Sequence, residues 1–121
     1  MATGHYDKPD FWAEKARKEG YPARSVYKLD ELDRKFGILR PGLRVLDIGA
    51  APGSWSLWAL KRLNGSGFLS AVDLQPLGIS PSYSNFHFIR GDLYDGAVKA
   101  ALAERGPYDL VVANLYAEVL V

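Results

Sequence analysis

The 121-residue sequence predicts an α/β fold built on a parallel, doubly wound sheet, and two patterns carry that prediction. Short apolar runs recur at residues 43–48, 68–74, 86–89 and 108–115, each set off by Gly, Pro, Asn or Asp. Helical spacing fills the intervals after the first and third runs, as βαβ units require, because parallel strands can be joined only by a crossover. Length adds a bound: one domain, with residues 1–42 as a basic helical segment expected to face RNA and 43–121 as the sheet-bearing core.

Each element has its own punctuation. Asp7, with Pro9 soon after, opens a helical stretch that Gly20 closes. Ser25 through Phe36 reads as a second helix, with Leu29, Leu32 and Phe36 on one apolar face and Gly37 as its stop. Arg40-Pro41-Gly42 turns the chain into the strand LRVLDI (43–48). A small-residue loop, GAAPG, leads into a helix from Ser54 to Leu63, which NGSG at 64–67 ends. FLSAVDL is the second strand and FHFI the third, after a loop rich in Pro, Ser and Gly. Residues 95–104 form a helix, and YDLVVANL is the fourth strand.

Composition removes several classes of function. The sequence has no cysteine, which excludes disulfides and thiolate metal sites, and His5 and His87 stand too far apart in sequence to suggest a metal cluster. No run approaches the ~20 apolar residues of a membrane span, and MATGHYDKPD has no apolar signal core. A cytoplasmic protein with no membrane partner is the expectation.

Net charge is only +1, but residues 1–42 hold nine Lys/Arg against seven Asp/Glu, and the remainder six against seven. Between residues 15 and 28, Lys15, Arg17, Lys18, Arg24 and Lys28 face only Glu19, with Tyr21 and Tyr27 among them and Phe11 and Trp12 just before. Cations that neutralise phosphates beside aromatic faces that stack bases suit RNA. The alternative is a solvated amphipathic helix whose aromatics are core.

The loop after the first strand is the candidate ligand site, since α/β sheets bind ligands outside the carboxyl ends of their strands. Its glycines would let a ligand lie against bare backbone, and Asp73 follows Gly53 by 20 residues, the spacing of an acid that accepts hydrogen bonds from ribose hydroxyls. A tight turn with an unrelated surface carboxylate is the structural alternative. A dinucleotide site wants G-x-G-x-x-G; here the middle glycine is missing and Pro52 removes a backbone donor. A nucleoside ligand without a phosphate, S-adenosylmethionine, suits the loop better.

Three segments, EGYPARSVYKLDELDRKFGILRPGLRVLDIGAAPGSWS, AVDLQPLG and RGDLYDG, resemble the FtsJ-like (RrmJ-type) ribosomal RNA 2′-O-methyltransferases in order and spacing. The resemblance implies a Rossmann-like methyltransferase fold that binds S-adenosylmethionine and acts on ribosomal RNA. It implies a cofactor site formed by Gly49, Ala51, Pro52, Gly53, Ser54 and Trp55, with Asp73 at the ribose, Asp92 beside the adenine, and Leu74 and Leu93 around the base. Asp92 alone could equally be an early helix N-cap. RNA would meet Lys15, Arg17, Lys18 and Arg24. Lys28, in YKL, matches the first lysine of the family's catalytic Lys-Asp-Lys-Glu set; its structural alternative is a surface lysine paired with Glu31 or another helix carboxylate.

The chain departs from that pattern at its end. The family's aspartate lies in a segment like S-D-M-A-P, whereas VVANLYAEV places Asn114 there, a residue that positions a ligand but supplies no charge. ANLYAEVL also resembles the fourth-strand segment of ribosomal-protein methyltransferases. The chain stops at Val121 before any residue that could serve as the second lysine or the glutamate, so the sheet is expected to be incomplete. A catalytically silent domain that binds S-adenosylmethionine, RNA or both is the second reading. DLVVANLYAEVLV would then form an exposed edge, with Val111, Val112, Leu115, Val119 and Leu120 available for homodimer formation.

Overall fold

The computed structural model describes residues 9–114. In chain order the elements are α1 (Pro9–Lys18), α2 (Val26–Phe36), β1 (Arg44–Ile48), α3 (Ser54–Leu63), β2 (Phe68–Asp73), β3 (Phe86–Arg90), α4 (Gly96–Glu104) and β4 (Leu110–Ala113). None of these helices is long and apolar enough to cross a membrane.

The four strands lie in the order β3-β2-β1-β4, and every neighbouring pair is parallel. Crossover α3 steps from β1 to β2, while α4 carries the chain from β3 across to β4 on the other side. Right-handed connections stepping in opposite directions place their helices on opposite faces, which is the doubly wound arrangement the alternation predicts.

Register decides which strand residues meet α3. Val45 lies beside Leu69 and Leu110, and Asp47 beside Ala71 and Val112, so these six share one face. Against that face α3 buries Ser54, Trp55, Ser56, Trp58, Ala59, Leu60 and Leu63. Helix α2 then covers α3, and Val26 and Leu29 enter the same cluster as Val45, Leu60, Leu63 and Leu69. Helix α2 therefore completes the core on this face of the sheet.

Two expectations change in detail. Strand β4 ends at Ala113 and is the outer strand among the described residues; the predicted continuation through 115–121 falls outside them. Phe36, expected on the apolar face of α2, is 70% exposed. It is the last residue of the helix, and the left-handed Gly37 turns the chain away before anything covers the ring. Leu29→Ala should therefore cost about 2–5 kcal/mol of unfolding free energy and Phe36→Ala within about 0.5, both read from urea denaturation midpoints.

Candidate functional site

In a parallel sheet all carboxyl ends open on one rim, and β1 has β2 and β4 as its neighbours, so the segments following these strands meet there. The glycine-rich loop occupies the centre of that rim. Its first two amides, Gly49 and Ala50, both donate to the carbonyl of Val72, at 3.0 and 3.2 Å. The Ala51 amide donates to Asp73 Oδ2 at 2.8 Å, and Pro52 has no amide to give. Residues 49–52 thus lack the fan of free N–H groups that grips a phosphate.

Gly53 is required for two local reasons. Its φ is 118°, and a Cβ there would sit 2.8 Å from Ile79 Cγ1. The Gly78 amide also donates to the Pro52 carbonyl at 2.9 Å. The close approach to backbone that the loop composition points to is made, at this glycine, by the chain's own β2–β3 connection.

The first turn of α3 faces inward. Ser54 Oγ accepts from the Ala23 amide at 2.8 Å and donates to the Ala23 carbonyl at 3.1 Å. Trp55 Nε1 donates to the Ser25 carbonyl at 2.8 Å, and Ser56 Oγ donates to Asp47 Oδ2 at 2.7 Å. Ser54 and Trp55, both expected at the cofactor, are 1% and 5% exposed, with their polar atoms committed to the segment before α2. Sequence spacing places them at the loop; it does not reveal that another helix covers their side of α3.

The remaining candidates line the rim. Asp73 Oδ2 takes the Ala51 amide and Oδ1 the Gln75 amide at 2.8 Å, which leaves each oxygen further acceptor capacity. Leu74 beside it is 62% exposed. After β3, the exposed Asp92 accepts from the Tyr94 amide at 2.9 Å, while Leu93 is half-buried. Asp95, rather than Asp92, caps α4, accepting from the Ala97 amide at 2.8 Å. The Asn114 amide donates to the Ile48 carbonyl at 3.2 Å, which places Asn114 beside the end of β1. Lys28 is exposed in the first turn of α2, whose start Trp55 ties to the rim, and it makes no ion pair with Glu31.

Sequence reasoning assigned no role to Asp47, which is fully buried among the strands. Burial pushes its carboxyl from the ordinary 3.8 up to about 7, the Ser56 hydrogen bond opposes that rise, and the Asp73 charge adds to it. Its Oδ1 has no hydrogen-bond partner. The period-2 pattern of β1 could have revealed it, since Asp47 is in phase with the core residue Val45.

The cations of α1 are largely compensated. Lys15 pairs with Glu19 at 3.2 Å, and Arg17 and Lys18 flank Glu14 at 4.0 and 3.6 Å. Tyr27 donates to Glu19, whose carboxyl this bond, and then Lys15, holds below its usual range. Trp12 packs on Tyr27 with ring centres 5.6 Å apart, so two of the aromatics are engaged with each other. Arg24 is exposed and has no carboxylate partner among the described residues.

A parallel α/β sheet with a loop-lined ligand rim of this kind defines a Rossmann-like domain. The FtsJ-like methyltransferase profile matches residues 21–119, and the chain belongs to that family. It is 46% identical over 114 residues to a Treponema denticola protein named ribosomal RNA large subunit methyltransferase E, covering 94% of this chain and 57% of that one. A Sorangium cellulosum protein of the same name is 46% identical over 112 residues, covering 91% and 51%. The crystal structure of a Plasmodium falciparum protein described as a ribosomal RNA methyltransferase superposes with a TM-score of 0.66 at 28% identity, over 78% of this chain and 56% of that one. The chain thus spans about half the length of the curated relatives it matches.

Asp47 makes stability depend on pH. Because the unfolded carboxyl ionises near 3.8 and the folded one near 7, stability present in acid is lost as pH rises through that interval, by at most about 4 kcal/mol. Asp47→Asn keeps an acceptor for Ser56 and should melt with the parent near about pH 3, below the unfolded carboxyl's ionisation, but above it near about pH 8. Equal melting temperatures at both pH values would remove the ionisation from the account.

Proposed function

We propose that this chain is the cofactor-binding part of an S-adenosylmethionine-dependent RNA ribose 2′-O-methyltransferase whose substrate is ribosomal RNA, a cytoplasmic role. The observation that carries the reading is the amide pattern of the rim. Residues 49–51 turn their N–H groups onto Val72 and Asp73, and Pro52 has none, so a phosphate finds little to hold it there. Accessible carboxylates at Asp73 and Asp92 suit the hydroxyls and exocyclic amine of a nucleoside, and Leu74 and Leu93 offer apolar surface for its base. Gly49, Ala51, Pro52 and Gly53 contribute the backbone wall. Ser54 and Trp55 hold that wall in place through Ala23 and Ser25.

When bound, the cofactor supplies a methyl carbon on a positively charged sulfur. Lys28 Nζ would take the proton from the ribose hydroxyl as its oxygen bonds to the methyl carbon and the carbon–sulfur bond breaks, leaving the cofactor as a neutral thioether. Asn114 holds ligand in line through its carboxamide, on the opposite side of β1 from the Asp73 strand. Arg24, and to a smaller degree the already paired Lys15, Arg17 and Lys18, hold RNA phosphates.

A binding-only module is the second reading, favoured by Asn114 standing where the resemblance expects aspartate. Labelled methyl transfer to ribosomal RNA, lost in Lys28→Ala, supports the enzyme; cofactor binding without transfer supports the module.

Calorimetry with S-adenosylmethionine should show binding by the parent chain. Asp73→Asn, which retains an oxygen for the Ala51 amide, should weaken it at least about tenfold, the loss expected for hydrogen bonds to a charged acceptor. No binding by the parent, or undiminished binding by the variant, overturns the cofactor assignment.

We further propose that the 121-residue chain pairs with a second copy along β4, whose outer side carries no strand among the described residues and whose Val111 is 53% exposed. Sedimentation near about 50 µM should show a dimer, and a monomer there defeats this pairing.

A further inference from the structure

The outer surface of α2 differs from that of α1 in a way that residue counts conceal. Each described cation of α1 has a carboxylate within 4.0 Å, and Arg34 and Arg62 share Asp30, 3.1 and 3.6 Å away. Lys28, Lys35 and Arg40 are exposed and have no such partner among the described residues. Lys28 and Lys35 lie two turns apart on one side of α2, about 10 Å along its axis, with the exposed Glu31 between them, and Arg40 follows just beyond the helix. Phe36, the next residue after Lys35 and so about a quarter-turn round the helix from this line, is 70% exposed.

Unpaired cations and an uncovered ring are different signals that meet here. Free ammonium and guanidinium groups attract a polyanion without first breaking an ion pair, which those of α1 must do. An exposed phenyl ring accepts a base of any identity on its face. A hydrophobic protein partner would suit the ring but not the cations that neighbour it in the chain, and a free phosphate would suit the cations but not the ring.

We infer that single-stranded RNA leaving the rim runs down the outer face of α2, with Lys35 and Arg40 on its phosphates and a base stacked on Phe36. This rests on the RNA reading above and adds a contact surface remote from the reacting groups. The ~10 Å from Lys28 to Lys35 spans about three base-stacking rises of ~3.4 Å, so a strand entering at Lys28 reaches the ring within a few nucleotides.

The test is fluorescence anisotropy with a labelled, unstructured RNA of about 12 nucleotides, titrated at several salt concentrations. Phe36→Ala should weaken binding roughly 5- to 100-fold, the effect of one stacked base, without changing the salt dependence, and Phe36→Trp should restore affinity. Lys35→Ala with Arg40→Ala should flatten the log–log salt slope by about 1.4, two phosphates at about 0.7 each. Lys15→Ala with Lys18→Ala, the compensated pair, should change it less. Melting temperatures close to the parent's establish that the variants fold. Parent-like affinity in Phe36→Ala, or an unchanged slope in the Lys35/Arg40 variant, overturns this inference while leaving the RNA reading in place. An absence of RNA binding by the parent chain overturns both.

Discussion

Three consecutive side chains in the first turn of α3 hold the rim together. Ser54 and Trp55 tie the helix to the backbone at residues 23 and 25, and Ser56 ties it to Asp47 inside β1. Because α3 lies between the sheet and α2, the Ser56–Asp47 bond forms away from competing water and the others are partly shielded from it. They place the glycine-rich loop, the start of α2 and the carboxyl end of β1 in one fixed relation. Lys28 belongs to the rim only through this connection, since it lies in the first turn that Trp55 anchors.

Asp73 performs the same service from the other side. A single carboxylate receives amides from the glycine-rich loop and from the start of the β2–β3 connection. A few residues later that connection returns, setting Gly78 on Pro52 and Ile79 on Gly53. The loop therefore owes its shape to the chain rather than to a ligand, and preorganisation of this kind reduces what binding must offset in ordering cost.

The fold was legible because its boundaries are chemical. Gly37 and Asn64, residue types that tolerate the left-handed conformation, end helices, and the apolar runs between them alternate in type and length. Side-chain direction was less legible. Trp55 sits at the right spacing for a ligand contact, but its burial depends on α2, whose start at Ser25, 30 residues upstream, it bonds. Asp92 and Asp95 are both plausible caps by type, and only the position of the first helical amide separates them. The charge count failed for a narrower reason: Glu14 lies one residue before the 15–28 window, yet it faces Arg17 and Lys18 one turn along the helix.

Asp47 shows where the rim departs from what stability alone would select. Its strand position is fully buried, between Ala71 and Val112 in the register, where an apolar side chain would leave no unsatisfied oxygen. Ser56 offsets part of the cost with one hydrogen bond, but the Asp73 charge works against ionisation. The two carboxyls are thus placed differently although their strands are adjacent. Asp73, at the open end of β2, has two amides to support it, whereas Asp47, one layer deeper, has one hydroxyl. Depth along the strands, and not residue type, separates an acid suited to meet a ligand from one held neutral across part of the pH range beneath it.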